Sequence, residues 1–124
     1  MSQNSPALIP PRRRRLCAIG DIPDRGSKGF PPAPGSFVGL FAVREGAAIR
    51  VYVNACPHIG IALDWVPDRF LSDDGTLIVC PTHGAEFRVE DGYCIRGPCQ
   101  GDALEAVAFE IEDGAVLVAE DAGV

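Results

Sequence analysis

Ile49-Arg50-Val51-Tyr52-Val53-Asn54-Ala55-Cys56-Pro57-His58-Ile59-Gly60 joins an alternating apolar run to a Cys-Pro-His block. Thr76-Leu77-Ile78-Val79-Cys80-Pro81-Thr82-His83-Gly84 repeats the arrangement. Apolar residues at every second position of Ile49–Val53 predict a β-strand with one buried face. Each segment therefore reads as a strand delivering a loop: Ile49–Asn54 presents Cys56 and His58, and Thr76–Val79 presents Cys80 and His83. The two blocks hold both histidines of the 124-residue chain and two of its five cysteines. Such economical use of histidine, each time beside Cys-Pro, points to metal ligation.

Outward from these blocks the signals are those of an all-β domain: short apolar runs separated by Gly, Pro and Asp clusters. Predicted strands are Leu16–Ile19, Phe37–Val43, Ile49–Asn54, Thr76–Val79, Glu86–Val89, Tyr93–Ile95, Val107–Ile111 and Val116–Ala119. Turn signals at Glu45-Gly46, Asp74-Gly75, Asp91-Gly92 and Asp113-Gly114 fall where strands should end. Strands joined so closely must pair antiparallel, because parallel pairs need long crossovers. No window predicts a long amphipathic helix, and Gly26–Ser36 (GSKGFPPAPGS) reads as a surface loop.

Length sets a single domain with a modest core. Residues 1–14 read as a flexible leader, with Pro10 and Pro11 closing MSQNSPALIPP, and residues 15–124 as the domain. Hydrophobic content of 47% and charged content of 23% are ordinary for a globular protein. No apolar stretch is long enough to span a bilayer. Arg12-Arg13-Arg14-Arg15 is followed by too short an apolar run for an export signal, so a cytoplasmic location is expected. The arginine run reads as a solvated tail leading into the first strand. A net charge of −6 argues against nucleic acid as the main partner and suits docking to a basic patch on another protein.

Two thiolates and two imidazoles suit two kinds of centre. A structural zinc site uses the same ligands, but zinc fingers usually group cysteines in one block and histidines in the other. Here each block carries one of each, with 21 residues between His58 and Cys80. That distribution favours a [2Fe–2S] centre in which two histidines replace two cysteines on one iron. Gly60 and Gly84 either aim amide N–H groups at the cluster sulfides or simply make turns.

CPHIG and CPTHGAEF resemble the two cluster-binding boxes of the Rieske ferredoxin family, and Gly97-Pro98 resembles its third, proline-bearing loop. The similarity runs over about residues 15–120. It implies one [2Fe–2S] cluster, with Cys56 and Cys80 on the inner iron and His58 and His83 on the outer, more exposed one. It also implies antiparallel sheets with a small cluster-binding subdomain at one tip. The histidine edge is then the expected electron exit.

Departures from the family pattern are informative. High-potential members carry an extra cysteine in each box, joined as a disulfide, where this chain has Ile61 and Thr82. They also place serine and tyrosine hydroxyls at the positions of Ala85 and Phe87. Without those donors the reduced state is less stabilised, so the potential is expected toward the low end of the roughly −150 to +300 mV Rieske range. The resemblance then implies a soluble electron carrier rather than an enzyme. Its partners would be a flavoprotein reductase and a terminal oxidoreductase such as a ring-hydroxylating oxygenase. Alternatives are a small Rieske subunit of a larger, nitrite-reductase-like enzyme, or a redox-sensing module with a Cys94–Cys99 switch. In a reducing cytosol Cys94 and Cys99 are expected as free thiols. Cys17 reads as a buried small hydrophobe, and Trp65 as the anchor of a long loop between the boxes, with cluster shielding or docking as the other readings.

Overall fold

The computed structural model describes residues 13–33, 37–57, 60–81, 84–120 and 122. Nine strands occur among them: β1 (Arg13–Ala18), β2 (Gly26–Phe30), β3 (Leu40–Glu45), β4 (Ala48–Val53), β5 (Leu77–Cys80), β6 (Ala85–Arg88), β7 (Cys94–Arg96), β8 (Phe109–Glu112) and β9 (Ala115–Ala119). The one helical element among the described residues is a short 3₁₀ turn, Ile19–Asp21. Three antiparallel sheets form, ordered β1-β9-β8, β2-β3-β4 and β5-β6-β7. The fold is all-β, as the alternation and turn spacing predict.

Its centre is β3–β4, which is buried on both faces. Leu40, Ala42, Ile49, Val51 and Val53 pack toward Val116 and Val118 of β9, together with Cys17 and Ile22. The opposite face presents Phe41, Val43 and Tyr52 to a second core built from Cys56, Leu63, Phe70, Ile78, Cys80, Ala85, Phe87, Cys94, Cys99 and Leu104. Strand periodicity dictates this partition, since successive side chains point to opposite faces. The expectation of one buried face for Ile49–Val53 is therefore corrected: Tyr52 is also buried, and Arg50 alone of the five is exposed. The second core, under the β5-β6-β7 sheet, is the small subdomain that carries both Cys-Pro blocks.

Two other expectations change. Gly26–Phe30, read as loop, is strand β2, in register with β3 from Gly26↔Arg44 to Phe30↔Leu40. Its glycines conceal it from propensity, yet they suit its packing: a Cβ on Gly29 would come within 3.1 Å of the Phe70 ring. The first strand also begins earlier than expected. Arg13 and Arg14 pair with Ala119 and Val118, placing them in β1 rather than in the leader. Arg13 is held by Glu110 at 2.5 Å, so this part of the arginine run is a strand edge rather than a solvated tail. Residues 1–12 lie outside the described residues.

The segment between the blocks is anchored by Phe70 and Leu63. The Phe70 ring stacks on Phe41 at 4.2 Å and 4°, and Leu63 is fully buried. Trp65, expected to be that anchor, is 64% exposed. From the edge of β2, the Gly29 N–H donates to the Asp68 carboxylate at 2.8 Å, and the Ser27 hydroxyl donates to the Asp68 carbonyl at 2.8 Å.

Candidate metal centre

Both cysteine blocks are short loops closed the same way. The Gly60 N–H donates to the Cys56 carbonyl at 2.6 Å, and the Gly84 N–H to the Cys80 carbonyl at 3.0 Å. Both glycines take positive φ, +76° and +70°, which other residues rarely adopt. Both glycines therefore close turns. The spacing is four residues in each loop, even though histidine stands second after the cysteine in one and third in the other.

Each loop is held from outside. Cys80 ends β5 and pairs with Ala85 at the start of β6, so the second block caps a hairpin. In the first loop the Cys56 N–H donates to the Ile61 carbonyl at 2.8 Å. Asn54 then clasps the chain beyond it, accepting from the Leu63 N–H at 2.8 Å and donating to Asp64 at 2.9 Å. Asn54 went unnoticed in the sequence because it reads as the polar end of a strand.

A third loop lies beside them. Arg96-Gly97-Pro98-Cys99-Gln100-Gly101 leaves β7 and folds back through a Gln100 N–H to Gly97 carbonyl bond of 3.2 Å and an Asp102 N–H to Cys99 carbonyl bond of 2.8 Å. Gly97 lies against the start of β6, where a Cβ would fall 2.7 Å from the Ala85 Cα. Arg96 reaches Glu86 at 3.3 Å, joining the root of this loop to β6. Two residues beyond Gly97, the Cys99 sulfur lies 3.6 Å from that of Cys56. The third loop therefore touches Cys56 in the first block and Ala85, the residue that follows the second.

Cys56, Cys80 and Cys99 are all buried, as are Ala85 and Phe87. Below them Tyr52 donates its hydroxyl to the Val89 carbonyl at 2.7 Å. Burial, above all, pushes that phenol up to about 12. No disulfide joins any two of the five cysteines. Cys94 donates to the Arg96 carbonyl at 3.2 Å, and the Cys99 sulfur lies beside that of Cys56. Cys17 is buried in the other core, and burial raises its thiol above the ordinary value.

Of the four expected ligands, Cys56 and Cys80 fall in one buried core, while His58 and His83 lie outside the described residues. Among the described residues no group of three or more His, Cys, Asp or Glu side chains forms a metal site. Two buried thiols at the head of two equivalent loops nevertheless fit the thiolate half of a two-cysteine, two-histidine set.

A Rieske [2Fe-2S] domain model matches residues 15–117, and the chain belongs to that family. It is a Rieske iron–sulfur electron-transfer domain, with one [2Fe–2S] cluster per chain. Solved structures agree. The Sphingomonas yanoikuyae B1 ferredoxin is 27% identical with a TM-score of 0.67, over 88% of this chain and 99% of that one. The ferredoxin of carbazole 1,9a-dioxygenase from Nocardioides aromaticivorans IC177 is 22% identical with a TM-score of 0.68, over 87% of this chain and 97% of its own. The terminal oxygenase of carbazole 1,9a-dioxygenase from Novosphingobium sp. KA1 shares the fold at 16% identity and a TM-score of 0.68, but only 29% of it is covered. Among curated proteins, the 1,4-alpha-glucan branching enzyme GlgB of Vibrio parahaemolyticus is 41% identical over 68 residues. The match spans 50% of this chain and 8% of that enzyme. No helix among the described residues is long and apolar enough to cross a membrane.

Proposed function

We propose that the chain is a low-potential Rieske-type ferredoxin, passing single electrons from a flavoprotein reductase to a terminal oxidoreductase such as a ring-hydroxylating oxygenase. In this reading Cys56 and Cys80 hold one iron and His58 and His83 the other. When bound, the cluster supplies a one-electron store. The protein's part is to bury the two cysteine sulfurs beneath three loops and to fix the loops through Gly60, Gly84 and Asn54.

The observation that carries the reading is the Rieske domain match over residues 15–117 together with the likeness to the Sphingomonas yanoikuyae B1 ferredoxin, 27% identical with a TM-score of 0.67. A complex of reduced oxygenase and oxidized ferredoxin in carbazole 1,9a-dioxygenase contains a further neighbour, 25% identical with a TM-score of 0.68. The low potential rests on Ala85 and Phe87, whose buried side chains offer no hydroxyl to the site. Mixing the reduced protein with an oxidised ring-hydroxylating oxygenase in a stopped-flow spectrometer tests the proposal. Rapid reoxidation of the ferredoxin, matched by reduction of the oxygenase, is expected. Failure to reduce any such oxygenase, with stable copurification in a larger reductase, would replace it with the subunit alternative.

A further inference from the structure

We infer that Cys99 is a positioning residue for the cluster: its thiol donates a hydrogen bond to the Cys56 sulfur and so raises the reduction potential. The inference rests on the reading of Cys56 as a ligand. Three observations lead to it. The two sulfurs are 3.6 Å apart, within the reach of an S–H···S bond, and both side chains are buried. The contact is built in by the third loop, because Gly97 seats that loop on the backbone of Ala85, directly beyond the second block. The loop thereby carries Cys99 across to the first block.

In the metal-free protein either thiol can be the donor. Once Cys56 binds iron as a thiolate it has no proton to give, so the proton of the pair is that of Cys99. A donor to a ligand sulfur stabilises the added negative charge of the reduced cluster more than the oxidised form. Cys99 therefore offsets part of what Ala85 and Phe87 lack as hydroxyl donors. No electron leaves Cys99 and no bond is broken.

The test is an EPR-monitored redox titration of the intact protein and of Cys99→Ala, Cys99→Val and Cys99→Ser, with iron counted in each. Both apolar variants should keep the cluster and lower the potential. A tenfold drop in the reduction equilibrium corresponds to about 59 mV for one electron. Cys99→Ser, which keeps a donor, should recover at least half of the drop. An unchanged potential in the apolar variants, with iron content intact, overturns the inference and leaves the ligand reading standing. Loss of iron from both apolar variants also overturns it, because Cys99 would then be holding the cluster rather than tuning it. A wild-type protein without a two-iron centre removes the ligand reading and this inference together.

Discussion

Replacing Gly97 by alanine should damage both the stability of this protein and its iron content, and Gly101 supplies the matched control. The two glycines lie in the same loop with almost the same φ, +99° and +101°. A non-glycine residue held at such a φ costs about 1–3 kcal/mol, and that term is common to both substitutions. Their surroundings differ. A Cβ at Gly101 meets nothing within 4 Å, whereas one at Gly97 falls 2.7 Å from the Cα, 3.2 Å from the N and 3.2 Å from the Cβ of Ala85. Ala85 is strand backbone paired to Cys80, so relief requires moving the third loop or the second block. Overpacking of this kind adds about 1–3 kcal/mol. For a chain of this size a 2 kcal/mol difference lowers Tm by roughly 6–12 °C. Gly97→Ala should therefore melt about that far below Gly101→Ala, and should retain less iron after purification. Thermal melts and iron analysis of the two variants, side by side, read the difference. Equal melting temperatures and equal iron content would refute the claim that the third loop is pressed against the start of β6 beside the second block.

Further outcomes follow from the second core. Tyr52→Phe removes the bond to Val89 and should cost about 1 kcal/mol at pH 7 in urea denaturation. The folded protein holds the Tyr52 proton up to about pH 12, while the unfolded chain releases it near pH 10. Wild-type stability should therefore fall between those values, and the variant's pH profile should be flatter there. Trp65→Ala should change stability by no more than about 0.5 kcal/mol, because the ring is exposed. Phe70→Ala should cost about 3–5 kcal/mol, since it removes a fully buried ring stacked on Phe41. The reverse ranking in denaturation midpoints would restore Trp65 as the anchor of the loop between the blocks.

What the sequence made legible is what short-range pattern encodes. Alternation marks β4, Asp-Gly pairs mark several strand ends, and the doubled Cys-Pro motif marks the ligand loops. β2 escaped because Gly26-Ser-Lys-Gly-Phe has little intrinsic strand preference and forms by tertiary pairing with β3. The two-sided burial of β3–β4 escaped for a related reason, since Tyr52 is covered by residues far along the chain. Trp65 was misjudged because size suggests burial, whereas the neighbouring Leu63 and Phe70 take that place. The meeting of Cys99 with Cys56 spans 43 positions. No local spacing rule signals it; it depends on where Gly97 sets the third loop down.

The central claim is that the two Cys-Pro blocks carry a [2Fe–2S] cluster. Iron and zinc analysis with an EPR spectrum of the dithionite-reduced protein tests it most directly, on the wild type and on Cys56→Ser and Cys80→Ser. The account predicts one reduced two-iron signal per chain in the wild type, and loss of iron and signal in both variants. A zinc-loaded, EPR-silent wild type, or variants that keep the full signal, would contradict it.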